Sequence, residues 1–286
     1  MAIFDKVTTL RASLRGLQRD DKRIALVPTM GNLHEGHLSL VDIASANSDV
    51  VVATIFVNPL QFGPNEDLAA YPRTLEKDLE LLDKRGCHLV FTPTVDEMYG
   101  DSLVAQTTIS VPQISEGFCG SSRPGHFEGV ATVVNKLFNI AQPDVAVFGL
   151  KDYQQFLVIK KLVSDLMIPV EILGGEIVRE SNGLALSSRN GYLNDIQREQ
   201  AAAINRSLTT IAQKLRDGEQ DIAALESQGQ QIIEEAGIRP DYYGICNAET
   251  LQAARPQDSK LVILAAGFLG STRLIDNVRL TRASVN

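Results

Sequence analysis

Two histidines three residues apart, His34 and His37, stand in the stretch PTMGNLHEGH at 28–37. An imidazole can hold or move a proton near neutral pH, and its N–H can be offered to a phosphate oxygen. A short apolar run at 24–27 precedes the stretch, and Leu38, Leu40, Val41 and Ala44 follow it at helical spacing. Pro28 is expected to end the run, because proline has no N–H for a sheet ladder. The predicted order is therefore strand, turn, helix. A helix start offers unpaired N–H groups and positive dipole character, which suits an anion. The spacing puts both imidazoles on one face of the first turn. Gly36 removes a Cβ where a ligand would come close. Taken singly, each histidine is a cap or a surface residue; in this setting the pair points to phosphate chemistry. A zinc reading fits poorly, since the protease motif spaces its histidines four apart. No cysteine or third histidine lies nearby to complete a ligand set.

Other polar groups fall after predicted strands in the same way. The run DVVVATIFV at 49–57 reads as a strand covered on both faces. It ends in a loop, 58–65, that carries Asn58 and Gln61, and in open parallel sheets ligands bind outside that edge. Turn chemistry for Asn58 and solvent contact for Gln61 are the plain alternatives. A further strand at 144–149 leads into Lys151, a compact positive charge of the kind phosphate chemistry uses, or else an exposed helix residue. Ser187 and Ser188 beside Arg189, in a glycine-flanked loop, read as a phosphate clamp or as a helix cap. Arg123 and His126 lie in a long loop at 116–127 and either bind an anion or are solvated. Asp78 lies on a predicted helix at 74–84, for which Thr74 is the candidate cap.

The elements that must position these groups alternate. Helices are expected at 7–19, after His37, at 74–84, at 130–141 and, following 150–155, through 166; strands at 24–27, 49–57, 87–92, 107–111, 144–149 and 168–172. This pattern implies an α/β domain with a Rossmann-like parallel sheet. Gly174–Gly175 reads as a flexible point. Polar helices at 195–216 and 221–235 follow, then strands at 242–246, 261–266 and 272–280, which suggests a smaller α+β domain. The expected division is 1–176 and 177–286.

The chain has 286 residues, 44% of them hydrophobic, with a formal net charge of −8. An acidic chain without a dense Lys/Arg stripe is not a non-specific nucleic-acid binder. Its three cysteines are scattered and odd in number, against a disulfide framework. No apolar run of about eighteen residues exists to span a membrane. The first twenty-one residues carry charges throughout and lack a signal core. A cytoplasmic location is the expectation. Neither a GxGxxG nor a GxxxxGK[ST] pattern is present, which removes dehydrogenase and P-loop readings.

Taken together, PTMGNLHEGH at 28–37, IFVNPLQFGPNED at 55–67, YPRT at 71–74, RPGHFEGVATVV at 123–134, FGLKDYQQ at 148–155, GLALSSRN at 183–190 and LGSTRLIDN at 269–277 resemble the pantoate–β-alanine ligase family over essentially the whole chain. The His-x-Gly-His element is shared with a wider superfamily of adenylyl-transferring enzymes. The resemblance implies an ATP-dependent ligation in which pantoate is adenylated, with magnesium present, and β-alanine then displaces AMP. It implies that Met30, Gly31, Asn32, Leu33, His34, Glu35, Gly36 and His37 form the first ATP-binding segment, with His34 and His37 stabilising charge on the triphosphate and His37 as proton donor. Gln61 and Gln155 would hold pantoate, with Asn58 in the same loop. Gly149, Leu150, Lys151 and Asp152 would contact ATP, Lys151 on phosphate and Asp152 toward the ribose. Val178 would touch adenine. Leu186, Ser187, Ser188 and Arg189 would close over the phosphates from the second domain. Asp78 is a candidate magnesium contact, and a homodimer is implied.

Two positions depart from the family pattern. Leu150 stands where many relatives have glutamate, and Gly174–Gly175–Glu176 replaces a cysteine-proline type linker. A nucleotidyltransferase that stops at the adenylylated product, and a nucleotide-binding regulator without turnover, are the other readings. The paired glutamines and the presence of His34, His37, Lys151 and Arg189 argue against them.

Overall fold

The computed structural model describes residues 1–64 and 66–282. The chain divides into two compact units. One comprises Met1–Leu150 with Gln154–Glu176; the other comprises Lys151–Tyr153 and the chain from Ile177 onward.

The first unit is built on strands β1 (Ala2–Phe4), β2 (Ile24–Thr29), β3 (Val50–Ile55), β4 (Leu89–Phe91), β5 (Val145–Gly149) and β6 (Glu171–Gly175). They form one parallel sheet in the order β1-β4-β3-β2-β5-β6. Its helices are α1 (Val7–Arg19), α2 (Glu35–Ala46), α3 (Leu75–Lys84), α4 (Val95–Tyr99), α5 (Phe118–Ser122), α6 (His126–Ala141) and α7 (Tyr153–Asp165), the last beginning at the unit boundary. Side chains alternate across a strand, so Ala25, Val27, Val51, Ala53, Val145 and Val147 share one face and pack with Leu38, Leu40, Val41 and Ala44 of α2. The intervening Ile24, Leu26, Val52 and Ala146 are equally buried on the other face, where α6 meets β2. Burial on both faces is why these strands read as unbroken apolar runs. The strand order reverses between β2 and β5, and the carboxyl ends at such a reversal are where α/β sheets present ligands.

Pro28 does not end its strand. β2 runs on to Thr29 and pairs Pro28 with Thr54. The carbonyl of Thr29 accepts from Phe56 on the β3 side, so the nitrogen of Pro28 faces β5, and the ladder to β5 has already ended at Leu26. Gly174–Gly175 is not a loose point either. Both glycines lie in β6, opposite Phe148 and Gly149. A Cβ on Gly175 would sit 2.2 Å from Leu40 Cδ2, and one on Gly174 would sit 2.7 Å from Leu150 Cδ2. The two departures from the family pattern thus touch: glycine at 174 leaves room for leucine at 150. Residues 107–111 form no strand; Ile109 N–H donates instead to the Thr132 hydroxyl. Thr74 stands at the start of α3 without capping it, because its hydroxyl donates to Asp78.

The second unit holds a three-stranded antiparallel sheet, β7 (Arg239–Asn247), β8 (Lys260–Leu269) and β9 (Thr272–Thr281), in that order. The expected 195–216 helix is two, α8 (Asp195–Ala201) and α9 (Ala203–Arg216), which break at the buried Ala202. With α10 (Ile222–Glu235), α9 packs on the sheet. Ile204, Leu208, Ile211 and Leu215 meet Ile245, Leu261, Ile263 and Ala265 in this core.

Candidate functional site

β2 delivers the histidine segment through a turn with two successive left-handed residues, Gly31 at φ +81° and Asn32 at φ +50°. The backbone N–H groups of Asn32 and Leu33 each donate to a different oxygen of Asp78, both at 2.8 Å. The Thr74 hydroxyl adds a third donor at 3.1 Å. Asp78 is only 1% exposed, and a Cβ on Gly31 would lie 3.0 Å from its Oδ2. Asp78 therefore anchors the turn, and glycine at 31 is required both by the conformation and by that carboxylate. Asp78, expected from the resemblance as a magnesium contact, thus has each oxygen accepting from a backbone N–H of the turn.

His34 is the N-cap of α2. Its Nδ1 accepts from Gly36 N–H at 3.1 Å, and His37 Nδ1 faces His34 N–H at 3.4 Å. The rings lie 4.1 Å apart. The cap reading and the phosphate reading are thus compatible. An Nδ1 that accepts leaves the hydrogen on Nε2, so each neutral ring can carry an Nε2–H donor. Glu35, between them, is exposed and pairs with Arg85 at 2.9 Å, an ion pair that adds little to stability.

Gln61 joins this cluster: its Nε2 lies 3.0 Å from Met30 Sδ. Its Oε1 accepts from Asn58 Nδ2 at 3.2 Å. Arg123 and His126, read as anion binders or solvated groups, instead face inward and grip the Gln61 carbonyl. His126 Nδ1 approaches it at 2.8 Å and Arg123 at 3.3 Å, while Arg123 also pairs with Glu66 through two nitrogens. The α6 backbone passes so close that a Cβ on Gly129 would lie 2.2 Å from the Leu60 carbonyl oxygen and 2.7 Å from Gln61 N. Gly129→Ala is expected to cost about 3 kcal/mol of stability, since backbone cannot yield as a side-chain tip does. A urea titration reads this directly; an unchanged midpoint would show that the loop has slack.

Of the adjacent glutamines on α7, Gln154 is structural. Its amide accepts from Cys119 N–H and donates to the carbonyls of Ile114, Glu116 and Gly117. Gln155 is half-buried beside it. Gly149 closes β5, and Leu150 is buried after it.

In the second unit, the Val178 carbonyl accepts from Leu186 N–H, and Arg179 bridges Ala185, so Val178 and Leu186 lie side by side. Ser187 caps a 3-10 turn over Ser188–Tyr192 by accepting from Arg189 N–H at 3.2 Å. Lys151 Nζ lies 3.7 Å from Asp152. The Lys151 carbonyl accepts from Asn277 Nδ2 at 3.0 Å, and Asn277 N–H donates to Asp276, itself doubly paired with Arg179. The motif at 269–277, without an assigned task in the sequence, thus holds the lysine's backbone. The structure groups 30–37, 58, 61 and 78 in the first unit, and 151–152, 178 and 186–189 fall in the second.

Sequence reasoning missed Tyr99, whose hydroxyl reaches Asn58 at 2.7 Å. The signal for its short helix was Thr94, which caps Glu97 N–H.

A family model described as pantoate-beta-alanine ligase matches residues 2–279. A pantothenate synthetase of Pseudomonas fluorescens is 58% identical over 274 residues, 96% of each chain. One of Azotobacter vinelandii is 58% identical over 278 residues, 97% of this chain and 98% of its own. The crystal structure of pantothenate synthetase from Thermus thermophilus superposes with a TM-score of 0.91 at 42% identity, covering 97% of this chain and 99% of that one. A pantoate-beta-alanine ligase from Francisella tularensis, complexed with beta-gamma ATP and beta-alanine, gives 0.82 at 34% identity over 97% of both chains. Agreement of this extent in sequence and fold settles the family: the chain belongs to the pantoate–β-alanine ligases.

Proposed function

We propose that the chain joins pantoate to β-alanine in two steps. A pantoate carboxylate oxygen attacks the α-phosphorus of ATP, the bond to the β-phosphate bridging oxygen breaks, and pyrophosphate leaves. The β-alanine amine then attacks the acyl carbon of pantoyl adenylate, the bond to the AMP oxygen breaks, the amine gives up a proton, and pantothenate and AMP are formed. A carboxylate is a poor acyl donor, and adenylation supplies the leaving group. Catalysis then rests on position and charge.

The observation that carries this reading is the pair of imidazoles at the start of α2, each with Nδ1 turned to a backbone N–H. In this account their Nε2–H groups and the N–H groups of 30–37 meet the triphosphate, with His37 donating to the leaving group. Lys151 neutralises phosphate charge, Asp152 takes the ribose, and Val178 the adenine. The unit from Ile177 onward acts as a lid that brings Leu186, Ser187, Ser188 and Arg189 to the phosphates. Gly149 and Leu150 contribute backbone. Gln61, Gln155 and Asn58 hold pantoate.

Magnesium enters this account as part of the nucleotide. No group of three His, Cys, Asp or Glu among the described residues has the arrangement of a resident metal site, and magnesium favours phosphate oxygens and water. We also read the enzyme as a cytoplasmic homodimer. The three cysteines are buried and form no disulfide, and burial pushes Cys87 up to about 11 and Cys246 up to about 12, which suits proteins that keep thiols reduced. No helix among the described residues is long and apolar enough to cross a membrane. Light scattering at twice the chain mass would support the dimer, and the monomer mass would remove it.

The test is product identity. With ATP, magnesium, pantoate and β-alanine, the account requires pantothenate and AMP in equal amounts. ADP in place of AMP, or an adenylylated product that accumulates with β-alanine present, would replace it.

A further inference from the structure

The loop after β3 holds a buried polar relay whose polarity can be read atom by atom. Asn58 is 1% exposed, and its Nδ2 donates to the Gly129 carbonyl at 3.1 Å. A carbonyl only accepts, so this contact fixes which end of the Asn58 amide is nitrogen. The second hydrogen of that nitrogen goes to Gln61 Oε1. Asn58 Oδ1 faces the other way and receives the Tyr99 hydroxyl at 2.7 Å and Leu60 N–H at 3.3 Å. Gln61 has its oxygen on Asn58, so its NH2 is the outer end. That NH2 meets Met30 Sδ at 3.0 Å, and a thioether is a weak acceptor that a ligand oxygen can replace at little cost.

We propose that Tyr99 is a positioning residue that locks the Asn58 and Gln61 amides, so that Gln61 presents N–H and the site selects a ligand oxygen there. The proposal rests on the ligase reading, in which that oxygen belongs to pantoate. Burial and the Asn58 acceptor hold the phenol as a donor. Burial pushes its hydroxyl well above the ordinary tyrosine range, so the proton stays on. Phe56 packs against the ring at 6.1 Å, and Lys136 Nζ sits 4.7 Å from its centroid while donating to the Met98 carbonyl at 2.8 Å. The main chain of Gln61 is fixed separately. His126 Nδ1 must carry the hydrogen it gives the Gln61 carbonyl, which turns its Nε2 into the acceptor for Arg123 at 3.0 Å. With the backbone held from that side, the side-chain amide is the part left to the relay.

Tyr99→Phe removes the hydroxyl and keeps the ring, its cation–π partner and its packing. The expected result is a KM for pantoate raised about ten-fold, a KM for ATP within about two-fold of the parent, and weaker discrimination against analogues lacking either hydroxyl of pantoate. An unchanged pantoate KM overturns the proposal. So does an equal rise for ATP, which would mark general damage. Gln61→Glu guards against a folding failure of the first variant. It keeps an acceptor toward Asn58 and turns the outer NH2 into an oxygen, so pantoate binding should fall about a hundred-fold or more with ATP binding intact. Parent-like binding would show that no outer donor is used. The relay is also read without any substrate. In spectra of protein labelled with nitrogen-15 in its glutamine side chains, Tyr99→Phe should shift the Gln61 NH2 pair, and unmoved signals contradict the relay. A parent enzyme that shows no pantoate dependence, with the spectral shift present, would sink the ligase reading and leave the relay standing.

Discussion

His37→Ala is expected to slow pantoate-dependent adenylate formation about 10²–10⁴-fold, the range that a positioned acid or charge-stabilising donor contributes. The melting temperature should move by only a few degrees. His37 Nδ1 faces His34 N–H at a long 3.4 Å, and its ring is half-buried. Loss of a contact of that kind costs about 1 kcal/mol or less. Rate and stability therefore separate at this residue. His34 is the useful contrast, because its Nδ1 caps Gly36 N–H at 3.1 Å and its removal should affect both. Single-turnover adenylation and a thermal melt on the same preparation decide the matter. Near-parent turnover in a folded His37→Ala protein would take His37 out of the mechanism.

Asp78→Ala should reverse that pattern and lose stability first. It strips the partner from the N–H groups of Asn32 and Leu33 and from the Thr74 hydroxyl. Buried donors left unmade, with the extra strength of hydrogen bonds to a carboxylate, add up to about 3 kcal/mol. The turn they hold contains Gly31 and Asn32 at positive φ, and Asn32 has a Cβ that disfavours this conformation. Without the anchor the turn can relax, and the histidines that follow lose their placement. Activity should therefore fall as well, by about a hundred-fold for a displacement near 1 Å. Asp78→Asn should be intermediate, since it keeps the shape and one acceptor while turning an NH2 toward a donor. Equilibrium unfolding in urea, with exchange kinetics alongside, tests both. A variant as stable and active as the parent would mean that the turn holds itself.

The parallel sheet was legible because its strands are buried on both faces and so appear as apolar runs such as Val50–Ile55. The histidine segment was legible because strand, glycine, histidines and amphipathic helix follow in that order. What escaped the sequence was the direction of side chains. Arg123 and His126 look like anion binders in a glycine-containing loop, yet both turn toward the Gln61 carbonyl. Asp78 looks like one of many helix carboxylates, yet it accepts from a loop forty-five residues away in the chain. Pro28 and Gly174–Gly175 misled for a related reason. Proline and glycine mark breaks only if the neighbouring strand needs their N–H or a side chain needs their space. Here the ladder to β5 has ended before Pro28, and Leu40 and Leu150 fill the room over the glycines. Such facts belong to the three-dimensional neighbourhood, which one sequence does not spell out.

The central claim is an acyl-adenylate intermediate formed from pantoate. The most direct measurement is exchange of labelled pyrophosphate into ATP, with pantoate and magnesium present and β-alanine left out. The account predicts exchange that requires pantoate and gives way to net AMP release when β-alanine is added. ATP binding without pantoate-dependent exchange, in protein that still makes pantothenate when β-alanine is supplied, would contradict it.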